Sequence, residues 1–188
     1  AFLFPRIFSS FQKKYSHLDI YLYEEGSMTI REQIERDELD FGIVILSGAS
    51  SSLELLPMSK NQFVVCLPLD HPLAGKKSIS INDIENESII MLKEGSYLRN
   101  LLLKKMTNEN IKANIVLESN QIETIKGLVA SNVGIAFLLD FVVKDAPNIK
   151  VLPFENPIFV DVGLAWKKDR YISKAAQSFI EFCHDTLK

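Results

Sequence analysis

Only two cysteines occur in this 188-residue sequence, Cys66 and Cys183, and neither lies in a C-x-x-C or C-x-x-H pattern. A disulfide framework and a zinc site are therefore not expected. Both cysteines read as small core residues, which suits a reducing, cytoplasmic setting. No apolar run approaches the roughly 20 residues that span a bilayer, so no membrane segment is expected. Basic charge is not in excess: 21 Lys and Arg face 24 Asp and Glu, for a net charge of −3 and a pI of about 5.7. Gripping a phosphate backbone needs a concentrated basic face, so this chain is not expected to bind DNA by itself. No phosphate-cradling glycine loop and no metal-ligand cluster stands out. No Ser/His/Asp or Cys/His spacing does either. Neither enzyme chemistry nor a cofactor or metal is expected. The chain opens on Ala1-Phe2-Leu3 without Met, basic n-region or long apolar h-region, and is expected to be a fragment.

What is present is core material in alternating patterns. Apolar residues make up 47% of the chain, with 12 Phe, enough for one good core or two small lobes. Leu3, Phe4, Ile7, Phe8, Phe11 and Tyr15 recur at helical spacing. Leu18, Ile20 and Leu22 alternate with Asp19, Tyr21 and Tyr23, which predicts a strand. Thr29 and Glu32 form a T-x-x-E capping box for a helix carrying Ile30 and Ile34. Phe41 to Leu46 is a continuous apolar run, as in a parallel strand buried on both faces. Strand candidates follow at residues 53–58, 62–67, 88–92, 113–117, 134–138, 149–152 and 159–166. Helices are predicted from Ser96, from Ser119-Asn120, and around Ile172, Ala176, Phe179 and Cys183. This alternation predicts an α/β fold.

In such folds ligands sit beyond the carboxyl ends of strands, against helix N-termini whose free N–H groups favour anions. Three places fit: Gly26, Ser27, Met28 and Thr29; Gly95, Ser96 and Tyr97; and Ser119 with Asn120. Leu46, at the end of its apolar run, joins the first. Ser, Thr and Asn at helix starts commonly serve only as caps, and the two roles do not exclude each other. His71, between Asp70 and Pro72, reads as a turn residue rather than a catalytic one. Glu24 and Glu25 would face opposite sides of a strand, which argues against a paired acid/base role.

The segment Phe63 to Ile84, FVVCLPLDHPLAGKKSISINDI, resembles the hinge region of LysR-type transcriptional regulators, with His71-Pro72-Leu73-Ala74 as its H-P-L-A tetrapeptide. Residues 38–43 (ELDFGI), 128–136 (LVASNVGIA) and 163–169 (GLAWKKD) resemble further stretches of the family in order and spacing. The resemblance covers nearly the whole chain. It implies a two-lobed, periplasmic-binding-protein type II-like fold joined by two crossover strands, with lobe I at 1–67 and 162–188 and lobe II at 68–161. It also implies that the family's winged helix-turn-helix and the sensing domain's first strand lie outside this chain. Asn132 stands where the family often has Gly, a mild change because Asn tolerates the left-handed conformation. Leu139 replaces a frequent Pro. Some family members sense oxidants through two cysteines close together in lobe II, a pattern absent here. The implied function is an effector-sensing regulatory domain. A small, anionic metabolite would bind between the lobes, where the three helix starts would converge. The domain would form a dimer, and the full-length protein a tetramer that reaches DNA only through its N-terminal head. A solute-binding protein for transport, on the same fold, is the alternative.

Overall fold

The structure is a computed structural model and describes residues 3–186. Its contacts divide the chain into two compact units, Ala1–Ser59 with Asp161–Lys188, and Lys60–Val160.

In the first unit the apolar spacing at the start of the chain becomes helix α1 (Leu3–Lys14), which buries Ile7 and Phe11. The closing helix α6 (Lys174–Thr186) buries Ala176, Phe179 and Cys183. The two helices meet through Phe11 and Phe179, packed edge to face at 5.0 Å. Helix α2 (Ser27–Glu35) lays Ile30 and Ile34 on strand β1 (Phe41–Ile45). Gly42 permits that approach, since a Cβ there would lie 2.3 Å from Ile30 Cγ2. Two long strands, β2 (Leu53–Pro68) and β6 (Ile149–Lys167), run from one unit into the other. β1 pairs antiparallel with β6, from Phe41 opposite Trp166 to Ile45 opposite Val162.

The second unit holds β2, β3 (Ser88–Met91), β4 (Asn114–Glu118) and β5 (Ile135–Leu139), in the order β2-β5-β3-β4. β3 is parallel to both β4 and β5, and β2 pairs antiparallel with β5. Helices α3 (Tyr97–Asn108) and α4 (Ile122–Ala130) make the crossovers, and the short α5 (Asp140–Val143) follows β5. α4 ends as the 128–136 stretch requires. Asn132 takes a left-handed φ of 59°. Its N–H bonds to Val129 O and that of Val133 to Leu128 O, both at 3.0 Å, the paired bonds of a Schellman cap.

His71 shows why the H-P-L-A tetrapeptide suits a turn. Its Nδ1 accepts from Leu73 N at 3.2 Å, capping a 3₁₀ turn (Pro72–Gly75) that Pro72 starts. With Nδ1 an acceptor, Nε2–H donates to Glu87 Oε2 at 3.0 Å. Next along the chain, Ser80 and Asp83 cap each other reciprocally: Ser80 N donates to Asp83 Oδ2 at 2.8 Å and Asp83 N to Ser80 Oγ at 3.2 Å. The Lys76 ammonium, bonded to Asp83, holds this carboxyl below its ordinary value of 3.8, helped by the Ser80 amide and hydroxyl against partial burial. A depressed pKa in the folded state adds stability above the unfolded value, and that stability is lost as pH falls through the folded value. Asp83→Asn is thus expected to lower Tm at neutral pH and to flatten the further loss below about pH 4, read by melting both chains across that range.

Four expectations need correction. Residues 18–23 form no strand among the described residues, and Leu18 N donates back to Tyr15 O at 3.1 Å instead. Of the apolar run at 41–46, Phe41–Ile45 pair antiparallel and, among the described residues, on one edge only, and Phe41, Gly42 and Ile43 are only half-buried. The T-x-x-E capping box does not form, because α2 starts three residues earlier, with Gly26 rather than Thr29 as its cap residue. The separate strand candidates at 53–58 and 62–67, and at 149–152 and 159–166, are each one continuous strand, β2 and β6. Backbone pairing ignores side-chain polarity, so the polar residues between those candidates do not interrupt the strands.

Candidate functional site

In the first unit the N-terminus of α2 is tied to the carboxyl end of β1. Ile45 N donates to Ser27 Oγ at 3.2 Å, and Arg31, 8% exposed, donates from a guanidinium nitrogen to Ser47 O at 2.9 Å. Leu46 N donates to Asp161 O at 2.8 Å, which holds the β1 exit in place. Gly26, Ser27, Met28, Thr29 and Leu46 therefore share one corner of this unit. The Ser27 hydroxyl is engaged in joining α2 to β1. The first-turn amides of a helix have no partner within the helix, so this corner presents donors and partial positive charge.

The second unit brings the other two predicted places together. β3 and β4 are parallel neighbours, so the loops after them leave the same end of the sheet. Ser119 N donates to Met91 O at 3.0 Å, and Lys93 N donates to Asn120 Oδ1 at 3.1 Å. Arg99, one turn into α3, donates to Leu92 O at 2.8 Å and pairs with Glu118. Gly95 turns the chain into α3 at φ 83°, a conformation that costs a residue with a Cβ about 1–2 kcal/mol. Gly95, Ser96 and Tyr97 thus lie beside Ser119 and Asn120.

The hydroxyls here do different work from that expected. The cap residue of α4 is Gln121, not Ser119 or Asn120. Ser119 Oγ accepts from Gln121 N at 3.0 Å, and Asn120 spends its carbonyl on Lys93. Helix α4 starts later than its hydroxyl and amide residues suggest because those groups stitch the loops together. Ser96 does occupy the cap position of α3, yet its hydroxyl caps nothing. Ser96 as a residue is 8% exposed, and its side chain makes no cap bond to α3.

Arg31 and Arg99 were not singled out from sequence. Each sits among ordinary helix-surface residues, and only the fold points its guanidinium at a loop carbonyl. The cysteines contribute no nucleophile. Burial pushes the Cys66 thiol up to about 12 and that of Cys183 up to about 11, so both stay protonated near neutrality. Among the described residues no group of three or more His, Cys, Asp or Glu could hold a metal ion, and no helix is long and apolar enough to cross a membrane.

Residues 1–188 match the family model described as the LysR substrate binding domain. The chain belongs to the LysR substrate binding domain family. YybE of Bacillus subtilis (strain 168), an HTH-type transcriptional regulator, is 30% identical over 181 residues, covering 96% of this chain and 62% of YybE. The first curated relatives are all longer proteins, of which this chain spans 60–64%. The regulatory domain of Synechocystis PCC6803 CcmR, solved in complex with 2-PG, superposes with a TM-score of 0.86 at 26% identity, covering 100% of this chain and 92% of that one. The effector binding domain of QuiR, solved with shikimate, gives 0.80 at 27% identity, covering 97% and 89%. The fold is the two-lobed, periplasmic-binding-protein type II-like fold of this family, with β2 and β6 as its two crossover strands.

Proposed function

We propose that this LysR substrate binding domain senses a small anionic metabolite and passes that signal to a DNA-binding region elsewhere in a longer regulator. The observation that carries the anion reading is Ser96, whose hydroxyl makes no cap bond at the N-terminus of the 12-residue helix α3. A ligand carboxylate there would accept from the hydroxyl and from the first-turn amides of α3. Gly95, Tyr97, Ser119 and Asn120 form the rest of this half-site. Gly26, Ser27, Met28, Thr29 and Leu46 form a second half-site in the first unit. In this reading lobe I is 1–67 with 162–188, lobe II is 68–161, and the ligand engages both half-sites together. The ligands in the CcmR and QuiR complexes support a small-molecule role, and shikimate is a carboxylate.

Ligand binding shifts the population of lobe arrangements, by as much as its affinity for them differs. That shift would act in a cytoplasmic dimer, or in a tetramer of the full-length protein. DNA would be reached only through the part of the protein that the HTH-type relatives carry in addition. The family is one of regulators, which favours this role over transport of a solute and over enzyme chemistry.

The test is a thermal-shift screen against shikimate and other small carboxylates and phosphates. A ligand at a hundred-fold excess over Kd adds about 2.7 kcal/mol, roughly 5–11 °C in Tm for a chain of this length. Ser96→Ala should leave the ligand-free Tm almost unchanged, because the hydroxyl makes no cap bond to lose, and should weaken binding about ten-fold or more. A ligand bound equally well by both chains would place the site elsewhere.

A further inference from the structure

One guanidinium nitrogen in the second unit joins three elements. Arg99 Nη1 donates to Leu92 O at 2.8 Å and also to Glu118 Oε1. Arg99 lies near the start of α3, Leu92 directly follows β3, and Glu118 is the last residue of β4. The side chain of Arg99 is 12% exposed and that of Glu118 42%, so the cation is sheltered while its partner is half in water. A sheltered guanidinium without a counter-charge is costly, which ties the placement of Arg99 to Glu118.

This pair brackets the corner formed by residues 93–97 and 119–120. The Arg99–Leu92 bond closes the turn that carries Gly95, Ser96 and Tyr97. Ser119 and Asn120 directly follow Glu118, and Asn120 Oδ1 accepts from Lys93 N between the two loops. Arg99 therefore holds both loops at their roots.

Its charge matters as well as its reach. The N-terminus of α3 attracts an anion through partial charge only, roughly half an elementary charge. An uncompensated carboxylate at Glu118 would oppose an anion in this corner, and an uncompensated guanidinium at Arg99 would strengthen its hold. Paired, the two largely cancel, and the positive end of the helix is left to act.

We propose that Arg99 is a positioning residue of this half-site, and that Glu118 sets how much of the Arg99 charge an anion meets there. The inference rests on the effector-sensing reading of the same corner.

The test uses acetate as the probe, titrated into the isotope-labelled chain at constant ionic strength and followed at the amides of Gly95, Ser96, Ser119 and Asn120. The parent is compared with Arg99→Gln, Arg99→Lys and Glu118→Gln. Arg99→Gln should bind acetate about ten-fold more weakly, with faster amide exchange at 93–97 and 119–121 but not in β5. Arg99→Lys keeps the charge and should recover part of the loss. Glu118→Gln keeps an acceptor for Arg99 and removes the negative charge, so it should bind acetate about three-fold more tightly. A purely structural pair would give the opposite sign for Glu118→Gln, and weaker binding by that variant would overturn the charge balance. Equal binding by the parent and Arg99→Gln would overturn the positioning role and leave the effector corner standing. A parent chain whose corner amides do not respond to acetate would remove the effector reading itself, and this inference with it.

Discussion

Replacing Gly134 with alanine is expected to destabilise the second unit by about 3 kcal/mol, a fall of roughly 6–12 °C in Tm. A Cβ at this position would lie 2.4 Å from the carbonyl oxygen of Ser88 and 3.1 Å from its carbon. These are backbone atoms at the start of β3, fixed by the ladder that sets Ile89 opposite Ile135, so they have no rotamer with which to move away. Either the β3–β5 pairing opens locally or the turn after α4 is displaced. Gly127→Ala provides the contrast. Nothing lies within 4 Å of a Cβ there, and the position is in a helix, so alanine should be neutral or stabilising by up to about 1 kcal/mol. Calorimetric melts of the two variants beside the parent chain read both effects. A loss below about 1 kcal/mol for Gly134→Ala would mean that β3 and β5 are less tightly held than their register implies.

Phe63→Ala is expected to cost about 4 kcal/mol. Phe63 is fully buried. It lies opposite Leu139 in the β2–β5 ladder, with the rings of Phe154 and Phe137 at 5.7 and 6.3 Å. Phe137 and Phe154 stack nearly parallel at 5.9 Å, so three rings from three strands fill one region, and removing one leaves a void that rigid strands cannot close. Phe63→Leu keeps most of the volume and should cost less, about 1–2 kcal/mol. Urea titrations of both variants test the order. Equal losses would indicate that the site relaxes around whatever side chain is there.

Much of this fold is legible in the residue pattern. Ile7 and Phe11, Ile30 and Ile34, Leu98 and Leu102, and Ala176, Phe179 and Cys183 all stand at helical spacing and are all buried in helices. The misses share a physical cause: they depend on partners distant in sequence. Alternation at 18–23 signals strand character, but a ladder needs a bonded neighbour, and the described chain offers none there. β2 and β6 are each bonded to strands that no local window contains, β6 to β1 and β2, and β2 to β6 and β5. Helix α5 is four residues long, and Asp140 accepts from Gln62 N, 78 residues away, as well as from Phe141 N. Periodicity cannot register an element that short.

The site was legible in part for the same reason. Hydroxyl and glycine residues next to helix starts pointed to Gly26–Thr29, Gly95–Tyr97 and Ser119–Asn120. Which hydroxyls are spent and which are free depends on tertiary contacts. Ser27, Ser119 and Asn120 are engaged by backbone amides, whereas the Ser96 hydroxyl makes no cap bond to its helix. Residue type at a helix start therefore locates a corner of the fold, and the hydrogen bonds around it show which groups remain for a ligand.

The most direct test of effector sensing is an NMR titration of the isotope-labelled chain with a carboxylate that raises its Tm. The expected result is a saturable change whose largest amide shifts fall at Gly95, Ser96, Tyr97, Ser119 and Asn120, together with Ser27, Thr29 and Leu46. Saturable shifts confined to other surfaces, with the amides of Ser96 and its neighbours unmoved, would contradict the assignment of this corner as the effector site.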